Sequence, residues 1–307
     1  MDNSQINRSM FRRVELDTKK SEAVVRPSVT YWQDAWRRLK ENKVAITCMF
    51  FLIVIVLMCI FVPLFSTHSY TEQLTSRTNE GPTFDHIFGL DDLGRDIFTR
   101  LWIGGRVSLT IGLVGTLVSL LIGVLYGGIS GYFGGIVDDA MMRIVEILVG
   151  IPYMIVVIVV SIVLDKGMTS LIIALCITSW TGLARIVRGQ VLSLKESEYV
   201  LAAKALGVSS IKIILRHLLP NTLSVIIVNT TFAIPGFIFS EAFLSFIGMG
   251  VQPPDTSWGA MAAVGQQQMS YYPHELIFPA LAISLTMLAF NLLGDGLRDA
   301  FDPKLRQ

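Results

Sequence analysis

Residues able to do chemistry are few in this 307-residue chain. Four histidines, His68, His86, His217 and His274, are scattered through connections between apolar runs, and no HExxH spacing sets a pair on one helix face. No metal site is expected from them. GxSxG is missing. Gly-Lys does not occur, so there is no GxxxxGK[ST] loop to cradle phosphates, and any nucleotide must be held by another protein. Cys48, Cys59 and Cys176 lie inside apolar runs without CxxC spacing and read as small buried hydrophobes. No catalytic residue is assigned. What remains are polar groups in or beside apolar runs, where a bilayer penalises them and function is the default reading. Glu241 either lines a path or holds a gate by hydrogen bonding. Asn229, Thr230 and Thr231 face a wet pathway or bond between helices. Asp138, Asp139, Arg143 and Glu146 read as solvated or paired structural charges. Asp91, Asp92, Arg95 and Asp96, around an LGRD turn, order a rim or meet a partner, with rim order favoured.

The elements that must position these groups are membrane helices. Hydrophobic residues make up 52% of the chain and charged residues 16%, against about a quarter charged in soluble domains. Mean hydropathy is +0.58. A bilayer core needs roughly 20 apolar residues per helix. Six segments qualify: 44–66, 107–128, 141–164, 168–187, 222–248 and 276–295. Ser179, Trp180 and Thr181 interrupt the fourth, and Pro235–Gly236 predicts a kink in the fifth. The first run begins only near Val44 after a long polar stretch, so it reads as a retained helix rather than a cleaved signal. With both termini in the cytoplasm, only Arg77, Arg95, Arg100, Arg106 and Lys166 of the 25 Lys and Arg fall outside. That bias supports an even number of spans in a cell membrane. The net charge of +1 says nothing of nucleic acid, and no nucleic-acid partner is expected.

This divides the chain into a cytoplasmic segment 1–43, a first span 44–66, an outer loop 67–106, a helical core 107–297 and a cytoplasmic tail 298–307. Residues 1–27 show no apolar period and read as flexible. Within 28–40, Trp32, Ala35, Trp36 and Leu39 recur at i, i+3, i+4, i+7, which predicts an interfacial helix on the lipid surface. The loop 191–220 carries two more short amphipathic patterns. Tyr199, Ala202, Ala203 and Leu206 form one, with Ser197 as cap and Gly207 as stop. Ile211, Ile214, Leu215 and Leu218 form the other, capped by Ser209 or Ser210 and bounded by Pro220. Such a pair either docks a partner through its small Ala face or covers the end of the bundle. GxxxG occurs as Gly127-x3-Gly131 and Gly131-x3-Gly135, for helix packing or a turn.

Leu201-Ala202-Ala203-x3-Gly207, followed nine residues later by His217-Leu218-Leu219-Pro220, resembles the EAA loop of ABC importer permeases. The Ala-Ala, Gly and Leu-Pro positions match that pattern. Leu201 stands where the pattern has Glu, His217 stands where it has Ile, and Glu198 lies one turn before. The stretches 88–109, 240–261 and 291–306 are similar to the peptide and nickel branch of these permeases, closest to the C subunits of oligopeptide permeases. The resemblance implies an all-α integral membrane fold of the type I importer kind. It implies a coupling loop carried by Glu198, Tyr199, Leu201, Ala202, Ala203, Gly207, Leu219 and Pro220. Asn229, Pro235 and Glu241 are the candidates for pathway or gate. It further implies a second homologous permease, two ATP-binding subunits that hold ATP and Mg, an extracellular substrate-binding lipoprotein, and an oligopeptide as cargo, with a dipeptide or nickel importer as the alternative. A stand-alone secondary transporter would need inverted repeats, and none is visible between 44–164 and 168–295. An intramembrane enzyme would need a paired nucleophile and base in the spans, and none is visible either.

Overall fold

A computed structural model describes residues 30–164 and 167–302. The expectations for residues 1–29, for Lys166 and for 303–307 lie outside the described residues. Among the described residues the regular structure is helical, with one isolated bridge between Leu90 and Asp96. Ten helices follow: α1 Tyr31–Glu41, α2 Lys43–Phe65, α3 Ile97–Phe133, α4 Gly135–Gly150, α5 Tyr153–Val163, α6 Met168–Leu194, α7 Glu198–Ala205, α8 Ser210–Phe246, α9 Trp258–Gln268 and α10 His274–Phe301. Helices α2, α3, α6, α8 and α10 are each long and apolar enough to cross a membrane. The pair α4 and α5, bent by 83° at its break, is together long and apolar enough to count as a sixth. That break falls at Ile151–Pro152, where proline cannot donate to the preceding turn. Helix α8 continues through Pro235 without a break, and the 83° bend between helices falls in the third apolar run instead.

Two helices are longer than their apolar runs. Helix α3 starts at Ile97, inside the expected outer loop, because the Asp96 carboxylate accepts from the Thr99 amide at 2.7 Å. Arg106 in its third turn donates to the carbonyls of Cys59 and Ile60 on α2, so a charge that suggests a loop is held inside the bundle. Helix α6 continues through Ser179, Trp180 and Thr181. Trp180 donates to the Ile177 carbonyl at 2.8 Å and Thr181 to the Thr178 carbonyl at 2.7 Å, so these side chains satisfy themselves on their own helix.

Helices α3 and α6 meet along glycines. A Cβ on Gly127 would stand 2.3 Å from the Ala184 carbonyl, and one on Gly131 would stand 2.8 Å from that of Arg188. Gly123, one turn earlier, meets the Trp180 carbonyl at 3.0 Å and extends the stripe beyond the expected motif. Gly135 takes no part in it. With Gly134 it turns the chain from α3 into α4 at φ of +52° and +65°. A core around Trp258, Ile238, Leu101 and Cys59 gathers α2, α3, α8, α9 and α10 at the other end. Helix α1 folds back on α10. Leu39 packs with Ala45 and Ala300, Ala35 is buried, and Trp32 meets Phe301 edge-on, while Trp36 stays half exposed. The expected stripe of α1 is therefore shared between protein and surroundings.

Candidate functional site

The loop between α6 and α8 is built from local chemistry. Ser197 occupies the N-cap position of α7, but its hydroxyl donates backwards to the Leu194 carbonyl at 2.6 Å and does not cap. Ser209 likewise precedes α8 without a side-chain cap. The end of α7 is better defined. Gly207 sits at φ +75°, its amide donates to the Lys204 carbonyl at 3.0 Å, and the Val208 amide donates to Ala203 at 3.1 Å. That pair of bonds is a Schellman stop. Lys204 reaches over the Tyr132 ring at 5.2 Å, and Lys195 donates to the Gly131 carbonyl at 3.2 Å. Both tether the loop to the end of α3.

The two amphipathic patterns divide differently from the expectation. Val200, Ala203, Ile213, Ile214 and Leu218 are buried together with Val187, Val191 and Ile226. Tyr199, Leu201, Ala202, Leu206, Ile211 and Leu215 are exposed, Leu206 by 83%. Ala202 is therefore on the open face, and Ala203, only 6% exposed, is an anchor turned toward the bundle. Of the remaining loop residues, Glu198, Gly207 and Pro220 are exposed and Leu219 is half-buried. These exposed apolar side chains lie on the loop between two spans.

The second helix of the loop is not separate from the span that follows. From Ile214 to Leu218 the backbone takes a π-turn, with the Leu219 amide donating to Ile214. Pro220 accounts for it. Proline cannot donate and its ring crowds the carbonyl one turn earlier, so one wider turn lets the helix pass. Pro220 thus widens the helix where a boundary was expected, and α8 is one rod from Ser210 to Phe246.

Midway along the rod, Asn229 lines a cavity of about 420 Å³ with Thr116, Ser119, Tyr153, Ser179, Thr230, Gly236 and Ser240. Its walls come from α3, α5, α6 and α8. Asn229 itself donates to the Val225 carbonyl at 2.7 Å, and Thr231 to Ile227 at 2.9 Å. Pro235 is buried behind the wall, beside Gly236 that lines it. Nothing in the sequence pairs Ser119 with Ser179, yet their hydroxyls meet at 2.5 Å.

Glu241 does not line the cavity. It is 0% exposed, and its carboxylate accepts from Ser108 at 2.8 Å, Ser245 at 2.8 Å and Ser257 at 2.6 Å. Ser257 also caps α9, accepting from the Ala260 amide at 3.0 Å. Of the two readings left open for Glu241, the geometry supports the hydrogen-bonding one: it ties α3, α8 and α9. The charge cluster divides too. Asp138 is buried, takes a hydroxyl from Ser130 and a two-pronged pair from Arg188 at 2.6 and 2.5 Å, while Arg143 and Glu146 pair at 2.9 Å in the open. Around the LGRD turn, Asp91 accepts from Arg95 at 2.8 Å and from the Leu93 and Arg95 amides, as rim order requires. His68 and His86 are not scattered: they stand together beside Asp85.

Helical crossings around a largely apolar cavity dotted with hydroxyl and amide groups, with an exposed ledge at one end, fit a membrane permease. The model of the binding-protein-dependent transport system inner membrane component family matches residues 83–307, and that of the N-terminal TM domain of oligopeptide transport permease C matches 30–82. The chain belongs to this permease family. It is 51% identical over 290 residues to the dipeptide transport system permease protein of Bacillus subtilis (strain 168), covering 94% of this chain and 91% of that one. It is 46% identical to the oligopeptide transport system permease protein of the same organism, covering 98% and 99%. Against the glutathione transport system permease protein of Escherichia coli O157:H7 the identity is 42%, covering 90% and 92%. Its fold is similar to a chain of the inward-facing MetNI methionine ABC transporter, with a TM-score of 0.52 at 21% identity, covering 66% of this chain and 96% of that one. The fold is the all-α permease fold of an ABC importer.

Proposed function

We propose that this chain is one transmembrane subunit of an ATP-driven importer of peptides, sharing its pathway with a second, related permease. The observation that carries the reading is the exposed ledge, with Tyr199, Ala202 and Leu206 on and just after α7 and Ile211 and Leu215 at the foot of α8, whose later turns also form the cavity wall. A push on Ile211 and Leu215 is passed along α8, through the wide turn at Ile214–Leu218, toward Asn229 and Gly236. In this reading the ledge lies in the cytoplasm, as do both termini, and an ATP-binding subunit docks there, with ATP and Mg on that partner. Closure of two such subunits moves α7 and α8 and switches access to the cavity from inside to outside. A substrate-binding lipoprotein delivers the peptide from the far side, and hydrolysis resets the inward state. The names of the similar permeases support a peptide cargo, with the dipeptide relative at 51% identity favouring short peptides as much as longer ones.

The test is uptake in cells lacking the chain and complemented with it, offered labelled dipeptide, pentapeptide and nickel. Peptide uptake that stops when ATP is depleted supports the reading. Uptake that persists on an ion gradient without ATP would overturn it in favour of a secondary transporter, and nickel uptake alone would overturn the peptide assignment.

A further inference from the structure

We propose that His68, Asp85 and His86 form a binding site for a divalent transition-metal ion of the zinc kind, on the side of the bundle opposite the ledge. One ligand atom from each residue lies within 4.8 Å of the others. His68 Nε2 is 3.5 Å from one Asp85 carboxylate oxygen, and His86 Nε2 is 3.5 Å from the other. Tetrahedral zinc, with ligands at about 2.1 Å, sets its ligand atoms roughly 3.4 Å apart. The site needs only a small closure to reach that geometry.

The second observation is the state of His86. Its residue is 1% exposed, and its Nδ1 lies 3.0 Å from the Asp96 carboxylate. A carboxylate only accepts, so Nδ1 carries a proton, and in the neutral ring Nε2 then presents a lone pair. That Nε2 is buried, has no hydrogen-bond partner, and faces the Asp85 carboxylate. An aspartate behind a histidine whose far nitrogen is free is the arrangement that orients imidazole ligands and raises their basicity. Competing contacts are weak or already engaged. His68 Nε2 lies 3.1 Å from the Asp85 carbonyl, a contact the metal would replace. Arg77 is 3.9 Å from Asp85 but is held by Glu80 at 2.6 and 2.8 Å. His68 and Asp85 are partly open, which leaves the fourth position to water.

Bound there, the ion would fasten the end of α2 to the start of α3. His68 follows the end of α2 closely, and Asp96 caps α3. The experiment uses untagged, chelator-stripped protein in detergent, titrated with zinc chloride by calorimetry and counted by elemental mass spectrometry after desalting. One zinc per chain is expected, with affinity at least about tenfold weaker in His68→Ala and in Asp85→Ala. Both substituted side chains are partly exposed, and matching melting temperatures without zinc establish that the variants fold. Zinc should raise the melting temperature of the parent and not of either variant. No saturable binding by the parent, or undiminished binding by both folded variants, which would put the ion on residues such as His217 or His274, overturns the proposal.

Discussion

A carboxylate with no solvent exposure survives in an apolar bundle only if its acceptors are filled, and Glu241 fills them with three serine hydroxyls. Glu241→Ala strands all three donors and should cost about 3 kcal/mol, while Glu241→Gln keeps the volume and part of the bonding and should cost about 1 kcal/mol. Thermal melts of the purified protein in detergent measure the difference, and equal melts for the two variants would refute the network. Gly207 is a backbone requirement. Nothing lies within 4 Å of a Cβ placed there, so Gly207→Ala should cost only the left-handed penalty of about 1 kcal/mol. Gly207→Pro cannot hold φ +75° and loses the bond to Lys204, so uptake should vanish while the protein still inserts. Asp92 titrates in the opposite sense to most carboxylates. Burial, aided by the neighbouring Asp91 charge, raises its pKa. The folded state then holds the proton more tightly than the unfolded chain, so this group's contribution falls as pH rises above the ordinary carboxylate range of about 4. Asp92→Asn should therefore melt higher than the parent at pH 7 and no higher at pH 4. Melts at the two pH values check the sign.

Among the elements, α7 and the start of α8 carry the coupling proposal, and the split between their faces makes it testable. Ala202→Trp adds bulk to the open face, and uptake should fall by at least about tenfold with little change in melting, since exposed positions usually shift stability by no more than about 0.5 kcal/mol. Ala203→Trp instead overpacks the anchor against Val200 and Ile213 and should destabilise the protein by about 2 kcal/mol or more. Uptake assays paired with melts separate the two, and full uptake by folded Ala202→Trp would sink the docking surface. The sequence made these helices legible because their period is local. It did not say which side turns inward, since Val200 and Ile213 lie outside the stripes chosen and burial is decided by α6. The start of α3 was hidden for a related reason: Arg100 and Arg106 read as loop residues until their carbonyl partners on other segments are seen. Asp96 followed three residues on by Thr99 was the available signal. Pairs such as Ser119 with Ser179 or His68 with His86 join segments far apart in sequence, and no spacing rule reaches them.

For the molecule as a whole, the crossings were countable from apolar length alone, but their mechanical grouping was not. Glycines pack α3 tightly against α6, and α8 runs as one continuous helix beside them. Gly127→Leu would drive a side chain into the Ala184 carbonyl and should prevent stable folding, which trypsin sensitivity of membranes would register. The broken crossing has another consequence, one for biosynthesis. Helix α5, with 11 residues, is about 16 Å long, half a bilayer, and α4 brings Asp138, Asp139, Arg143 and Glu146 with it. The partner that neutralises Asp138 is Arg188, 50 residues further along. As the chain leaves the ribosome, this third run should insert less readily than the straight spans until α6 has emerged. The Asp138–Arg188 pair would then favour entry of the two together, as a hairpin closed by an ion pair.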